Sequence, residues 1–292
     1  MAAPSTQIDT TSVTELVPTE EIGTWLDGYN YPARVGILVA ASIPGIGSIP
    51  MRSPRWDQLT PTAGTKAEGD DASQVEMTTA EESATPGIVI FETALTDEVV
   101  AGRRGIREAH LIEAMASLGN RIDSDILAVS TSSVNTMGST AQVFNRQFFS
   151  AFASAYRALD IPEGAMMDHA AVLHHDAVRD LDEDEVLTAA ARAVAPQFQV
   201  LGAAAGYKGA YGGLQLFESG NVAAESSGWS NFATPIGAGR SGLMFVVSRP
   251  PQVEENRGRD GARAQSTYYV FSAWYGAGMR NRLRLQEAVS RT

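Results

Sequence analysis

The stretch from Trp56 to Val129 constrains this chain more than any other. It opens with an acidic, turn-rich segment carrying Gly64, Lys66, Glu68, Gly69, Asp70, Asp71, Glu76 and the pair Glu81-Glu82. It then runs through Ile88-Val89-Ile90-Phe91-Glu92-Thr93-Ala94-Leu95 to Thr96-Asp97-Glu98. A polar two-stranded excursion of this length cannot bury itself, because few of its side chains are apolar and an isolated hairpin is marginal in water. An ordered form needs support from outside the subunit, which points to an assembly subunit rather than a self-contained enzyme.

A long amphipathic helix comes directly after the excursion. Ile112, Met115, Leu118, Ile122, Ile126 and Val129 recur at spacings of three and four, so they share one helical face. Glu108, Glu113, Arg121 and Asp123 lie largely off that stripe. Thr96, Asp97 and Glu98 supply capping and dipole chemistry upstream. A helix from Arg104 to Val129 would span roughly 40 Å.

The chain has 292 residues, 44% of them hydrophobic, enough to bury a sizeable core in one or two domains. No apolar run approaches the roughly 18 residues that suggest a membrane span, and residues 1–21 are polar rather than signal-like. The absence of cysteine excludes disulfides and cysteine metal sites and fits a reducing cytoplasm. Charge is uneven: residues 1–100 carry a net −11, residues 101–200 a net −5 and residues 201–292 a net +4. This asymmetry suits contacts between subunits, and plain solubility accounts for it equally well. The overall −12 argues against generic phosphate binding. Only Lys66 and Lys208 are lysines, against twenty arginines. That bias fits interfacial carboxylate pairing, and genomic base composition would also produce it.

Along the rest of the chain, residues 1–30 read as an arm, with Ile22, Trp25 and Leu26 as anchors, or as a floppy terminus. Residues 33–55 read as short strands and turns. Thr131 to Thr140 reads as a linker, and Ala141 to Leu159 as a helix whose stripe is Phe144, Phe148, Phe152, Ala155 and Leu159. Ala170 to His174 reads as a strand, and a third helix is expected from Leu181 to Val194. Gly202 to Phe217 reads as a turn leading into a strand, and Leu243 to Val247 as a short buried strand. Val253 to Val270 suggests two strands joined near Asp260-Gly261. Arg280, Arg282 and Arg284 alternate with Leu283 and Leu285, which is strand periodicity with a basic outer face.

Few constellations carry chemistry. His169, His174, His175 and Asp176 could in principle bind a metal, but their spacing matches no helical zinc motif, and adjacent strand histidines point to opposite faces. His110 has no obvious partner. Gly206, Gly209, Gly212 and Gly213 fit tight turns better than a nucleotide loop, because Lys208 is followed by Gly209 rather than by Ser or Thr. No Gly-x-Ser-x-Gly nucleophile elbow occurs.

The order of elements is more specific than any one motif. An arm, an acidic hairpin, Leu95-Thr96-Asp97-Glu98 and a long helix ending in Ile122-Asp123-Ser124-Asp125-Ile126-Leu127 succeed one another. That order resembles the major capsid protein of tailed bacteriophages, with the Hong Kong 97-type fold. Ala171 to Leu181 is similar to that family's strand-then-helix passage, Gly209 to Val222 to its Gly-rich strand with Ser-Asn-Val, and Phe271 to Gly278 to its late Tyr-Gly strand. The resemblance covers the chain from about Ile49.

It implies an α+β fold divided into an N-terminal arm with leading strands (1–55) and an extended hairpin, the E-loop (56–96). A peripheral domain with a spine helix (97–130 and 241–280) and an axial domain (131–240 and 281–292) complete it. It implies a structural protein, not an enzyme, that assembles as hexamers and pentamers into an icosahedral shell around double-stranded DNA. The partners implied are other copies of the chain and portal, scaffolding and cement proteins. The place implied is the virion, assembled in the host cytoplasm, with no membrane and no cofactor. Some members of the family cross-link a hairpin lysine to an asparagine. Lys66 matches by region, as do Asn256 and Asn281, but a lysine in a Gly-rich tip is ordinarily solvated and no cross-link is assigned. Charge asymmetry assigns contacts from Glu68, Asp70, Asp71 and Glu76 to a neighbour's Arg103, Arg104 and Arg107, or to its Arg280, Arg282 and Arg284. An encapsulin-like nanocompartment shell holding enzyme cargo is the alternative, and a histidine-dependent metal hydrolase is a reading of a different class.

Overall fold

A computed structural model describes residues 34–56, 79–96, 106–159, 169–184, 206–225, 228–236, 240–257 and 266–291. Its centre is the spine helix. After the short helix α1 (Val35–Val39), the helix α2 covers Ile106–Ala128, about 34 Å at ~1.5 Å per residue. It tightens into a 3-10 turn at Val129–Ser132.

Two sheets pack on this helix. The first has the order β1 (Ala41–Pro44), β11 (Leu243–Arg257), β12 (Ser266–Met279), β4 (Gly87–Thr96). Val253, Phe271 and Phe91 stand side by side across three of its strands, and the last two rings stack at 4.8 Å. That row covers Leu111, Ala114 and Met115 of the first half of α2. β1 pairs with residues 244–247 of β11, so among the described residues the strand's later part is an edge. Pro250 and Pro251 sit there, between register shifts, where no ladder donor is required.

The second sheet has the order β5 (Asn135–Gly138), β13 (Gln286–Arg291), β10 (Gly228–Pro235), β6 (His169–Leu173), β8 (Leu214–Glu218), β7 (Tyr207–Tyr211), with β9 (Ala224–Glu225) beside β10. Both of its faces are covered. Ala171, Leu173, Leu216, Ala233 and Ala288 meet Phe149, Phe152, Ala153 and Tyr156 of α3 (Arg146–Arg157) and Ala177, Val178 and Leu181 of α4 (His175–Glu183). Val172, Phe217 and Phe232 turn the other way, onto Leu118, Ile122, Ile126 and Leu127 of α2. Phe245 and Tyr275 of the first sheet complete the same core. The second half of α2 therefore joins the two sheets, and β6 reads as a continuous apolar run because it is buried on both sides. A third ribbon pairs β2 (Met51–Trp56) antiparallel with β3 (Thr79–Ala84), and residues 57–78 connect their ends.

Several expectations are corrected. The helix placed at Ala141 starts at Arg146, because Asn145 caps it by accepting from the Phe148 N–H at 2.9 Å. Its buried stripe is Phe149, Phe152, Ala153 and Tyr156 rather than Phe148, Ala155 and Leu159, while Phe144 is buried from the preceding loop. Leu181 to Glu183, expected to open a third helix, are instead the last residues of α4, so the acidic Asp182-Glu183 lies at that helix's C-terminal end; the remainder of the expected helix, 185–194, lies outside the described residues. The linker placed at Thr131 to Thr140 contains β5, which pairs parallel to β13. Arg282–Arg284 is a 3-10 turn, not a strand, because the Asn281 side chain accepts from the Leu283 N–H and closes the chain on itself.

Candidate assembly surfaces

The residues assigned to contacts between subunits fall into two groups. Lys66, Glu68, Asp70, Asp71 and Glu76 on the β2–β3 connection, with Arg103 and Arg104 before α2, lie outside the described residues. Arg107, Arg280, Arg282 and Arg284 are described, and their surroundings are specific.

Arg107, in the first turn of α2, is ion-paired with Glu255 of β11, and its guanidinium lies 5.8 Å from the Tyr269 ring centroid. Glu255, Tyr269 and Thr93 are cross-strand neighbours in one polar row of the first sheet. Thr93 meets His110 at 2.6 Å, which supplies that histidine's partner. Arg282 holds Glu82 of β3 in a bidentate fork, with contacts of 2.5 and 2.8 Å. The Glu82 bond holds the Arg282 proton more tightly than usual. Arg284 reaches the Arg240 carbonyl at 3.4 Å. Burial, and then the neighbouring Arg284, push the Arg280 guanidinium down from its ordinary value. Arg107 and Arg282 are thus engaged with carboxylates of their own chain.

The structure also shows polar residues that sequence patterns missed. Asp123, on the spine helix, is 2% exposed. It accepts from the Gly36 N–H at 2.7 Å and Asn221 Nδ2 at 2.8 Å. A Cβ at position 36 would stand 3.0 Å from this carboxylate and 3.1 Å from the Ile126 Cβ, so glycine lets α1 approach α2 closely. Asp180 of α4 accepts from the Phe144 N–H and from Arg291 of β13. Glu287 of β13 takes bonds from Thr136 and Ser230. Asn231 of β10 accepts from the His174 N–H at 2.7 Å and donates to Ser290 Oγ at 2.9 Å. These groups fasten neighbouring elements together in an otherwise apolar interior, with the satisfied partners that buried polar groups require.

The histidines take structural places. His174 is the N-cap of α4, with its ring stacked 3.5 Å over Trp229, whose Nε1 donates to Asp176 at 2.8 Å. His175 pairs with Glu218, which Lys208 also holds at 2.6 Å. His169 meets the Tyr156 hydroxyl at 2.8 Å. Among the described residues no group of three or more His, Asp or Glu side chains is arranged to hold a metal ion. Gly206, Gly209, Gly212 and Gly213 all have positive φ, and the last two close the β7–β8 turn.

The outer face of the first sheet presents apolar surface. Ile88 and Ile90 of β4 are 52% and 60% exposed and pair with Trp274 and Ser272 of β12. Ile46 and Ile49, in the turn before β2, are also exposed. No described helix is long and apolar enough to cross a membrane.

No protein-family model matches the sequence, and no curated protein sequence matches it. Solved structures do. A chain from the capsid of Ralstonia phage GP4 superposes with a TM-score of 0.61 at 11% identity, covering 87% of this chain and 85% of that one. A chain from the head of Helicobacter pylori bacteriophage KHP40 gives 0.59 at 9% identity, covering 86% of both. A chain from the capsid of cyanophage P-SCSP1u gives 0.57 at 12% identity, covering 87% and 86%. With two sheets joined by one spine helix, and nearly whole-length superposition on these chains, the protein has the Hong Kong 97-type capsid fold.

Proposed function

We propose that this chain is the major capsid protein of a tailed bacteriophage. It self-assembles as hexamers and pentamers into an icosahedral shell that encloses double-stranded DNA, and it does no catalysis. The observation that carries this reading is the superposition on chains of phage capsids and heads over at least 86% of this chain. Exposed isoleucines on the first sheet support it, since large apolar side chains on an outer face mark contact surfaces.

In this reading the spine helix with β11 and β12 forms the peripheral domain (97–130 and 241–280), its sheet completed by β1 from the leading segment and β4 from the end of the hairpin segment, and the second sheet forms the axial domain (131–240 and 281–292). Residues 1–55 are the arm and leading strands, of which β2 leads into the E-loop (56–96) and pairs there with β3. The chain's partners are its own copies, with portal, scaffolding and cement proteins. Assembly takes place in the host cytoplasm and the product is the virion. Closed symmetry multiplies many modest contacts between copies, so no single strong site is needed.

The test is negative-stain electron microscopy of the purified protein, with light scattering for mass. Icosahedral shells or hexameric rings are expected. A compact monomer that persists when phage scaffolding protein is supplied overturns the reading. Co-purifying enzyme cargo in place of DNA would make the shell a nanocompartment.

A further inference from the structure

Between the start of α1, the spine helix and the β7–β8 hairpin lies a cavity of about 280 Å3, lined among others by Arg34, Asp123, His175, Glu218 and Asn221. Both wall carboxylates are already engaged. Asp123 is held by the Gly36 N–H and Asn221, with Ser219 Oγ at 3.5 Å. Glu218 is held by Lys208 and His175, and although burial alone would raise its pKa, these two hydrogen bonds outweigh it and keep the group ionised. Arg34 differs. Its Nε is buried and has no hydrogen-bond partner among the described residues. A guanidinium donor removed from water without an acceptor is costly, and the acceptors that best match its fork are carboxylate and phosphate oxygens.

The 33 residues that precede Arg34 carry Asp9, Glu15, Glu20, Glu21 and Asp27, with no lysine, arginine or histidine. That acidic segment joins the described fold at the wall residue whose buried donor has no partner among the described residues. We propose that the cavity is an oxyanion seat anchored on Arg34, filled by a carboxylate of Glu20, Glu21 or Asp27, the acidic residues nearest to it in sequence, from the same or a neighbouring copy. A free phosphate offers the same acceptor chemistry, and the experiment separates the two sources.

Full-length protein is melted in sodium chloride and in sodium phosphate at matched ionic strength. Four chains are compared: wild type, Arg34→Gln, Glu20→Gln/Glu21→Gln/Asp27→Asn, and the combination of all four changes. The three neutralising changes are expected to lower the midpoint by about 3 °C in the wild-type background, with phosphate restoring it, and to do nothing in the Arg34→Gln background. If instead the wild-type midpoint rises saturably in phosphate while neutralising residues 20, 21 and 27 has no effect, the seat stands and its occupant is the free anion. Phosphate also stabilises proteins generally by exclusion from their surface, so a rise of equal size in wild type and Arg34→Gln overturns the proposal. Absence of any shift in wild type from either change overturns it too. If Arg34→Gln does not fold, Arg34→Lys keeps the charge but lacks Nε and is read the same way.

Discussion

At the scale of single residues, the interior is held by carboxylates that each receive several donors. Asp123 shows why such groups escape sequence reading. On the spine helix it lies off the apolar stripe, and a one-sided helix would expose it. Here α1 covers that flank, and the carboxylate answers the Gly36 N–H and Asn221. Asp123→Ala leaves the buried Gly36 N–H and the half-buried Asn221 amide without their acceptor and should cost about 2–4 kcal/mol in denaturant unfolding. Asp123→Asn keeps one acceptor oxygen and should cost less. His174 gives a pH dependence. Burial lowers its pKa from 6.5, while the neighbouring Asp176 partly offsets this and His175 adds to it. The folded chain therefore binds this proton less readily than the unfolded chain, which takes it up near pH 6.5. Stability contributed by the neutral ring is full above that pH and is lost as pH falls below it toward the lower folded value. The His174→Gln variant should flatten that part of the stability curve, and an unchanged slope below pH 6.5 would count against the assignment.

At the scale of elements, periodicity makes most of the fold legible and local hydrogen bonding hides most of the rest. The spine stripe Met115, Leu118, Ile122 and Ile126 is buried as its spacing requires. The hairpin placed near Asp260-Gly261 agrees with the antiparallel pairing of β11 and β12. The helix containing Phe152 is legible but its buried face is not, because Asn145 starts it later than the apolar pattern suggests. Arg280 to Leu285 alternates like a strand, yet the Asn281 cap turns it into a 3-10 turn that aims Arg282 at Glu82. No spacing rule relates positions 82 and 282, so only the folded chain reveals the fork. This contact ties the β2–β3 ribbon to the segment between the two sheets. Glu82 is largely buried while Arg282 is 42% exposed, so solvent screening keeps the coupling near ~1 kcal/mol. Arg282→Ala should speed amide exchange in Thr79–Ala84 several-fold while leaving β10 and β13 protected. A double-mutant cycle with Glu82→Ala that shows no coupling would remove this contact from the account.

At the scale of the whole molecule, charge separates along the chain, from −11 in residues 1–100 to +4 in residues 201–292. In the proposed shell, that asymmetry would set one copy's acidic connection against another copy's basic surface. The structure narrows the basic side. Arg282 and Arg107 already hold Glu82 and Glu255 within their own chain, so a neighbour's carboxylate would have to displace a partner. Arg284 meets the Arg240 carbonyl, and among the described residues no carboxylate is paired with it. Each exposed pair is worth at most about 1 kcal/mol, too little to matter once but not when repeated around every ring of a closed assembly. Reversing both charges with Asp70→Lys/Asp71→Lys should therefore raise the subunit concentration needed for shells by about tenfold at low ionic strength, equivalent to ~1.4 kcal/mol per subunit. The effect should fade toward 1 M salt, where the screening length falls to about 3 Å. Melting of the unassembled subunit should not change, because positions 70 and 71 fall between β2 and β3 in the sequence, outside the strands described for either sheet. Light scattering across a salt series reads the assembly threshold, and a thermal melt of the dissociated subunit reads the second quantity. Shells that form at the wild-type concentration in low salt would show that the acidic connection serves solubility alone.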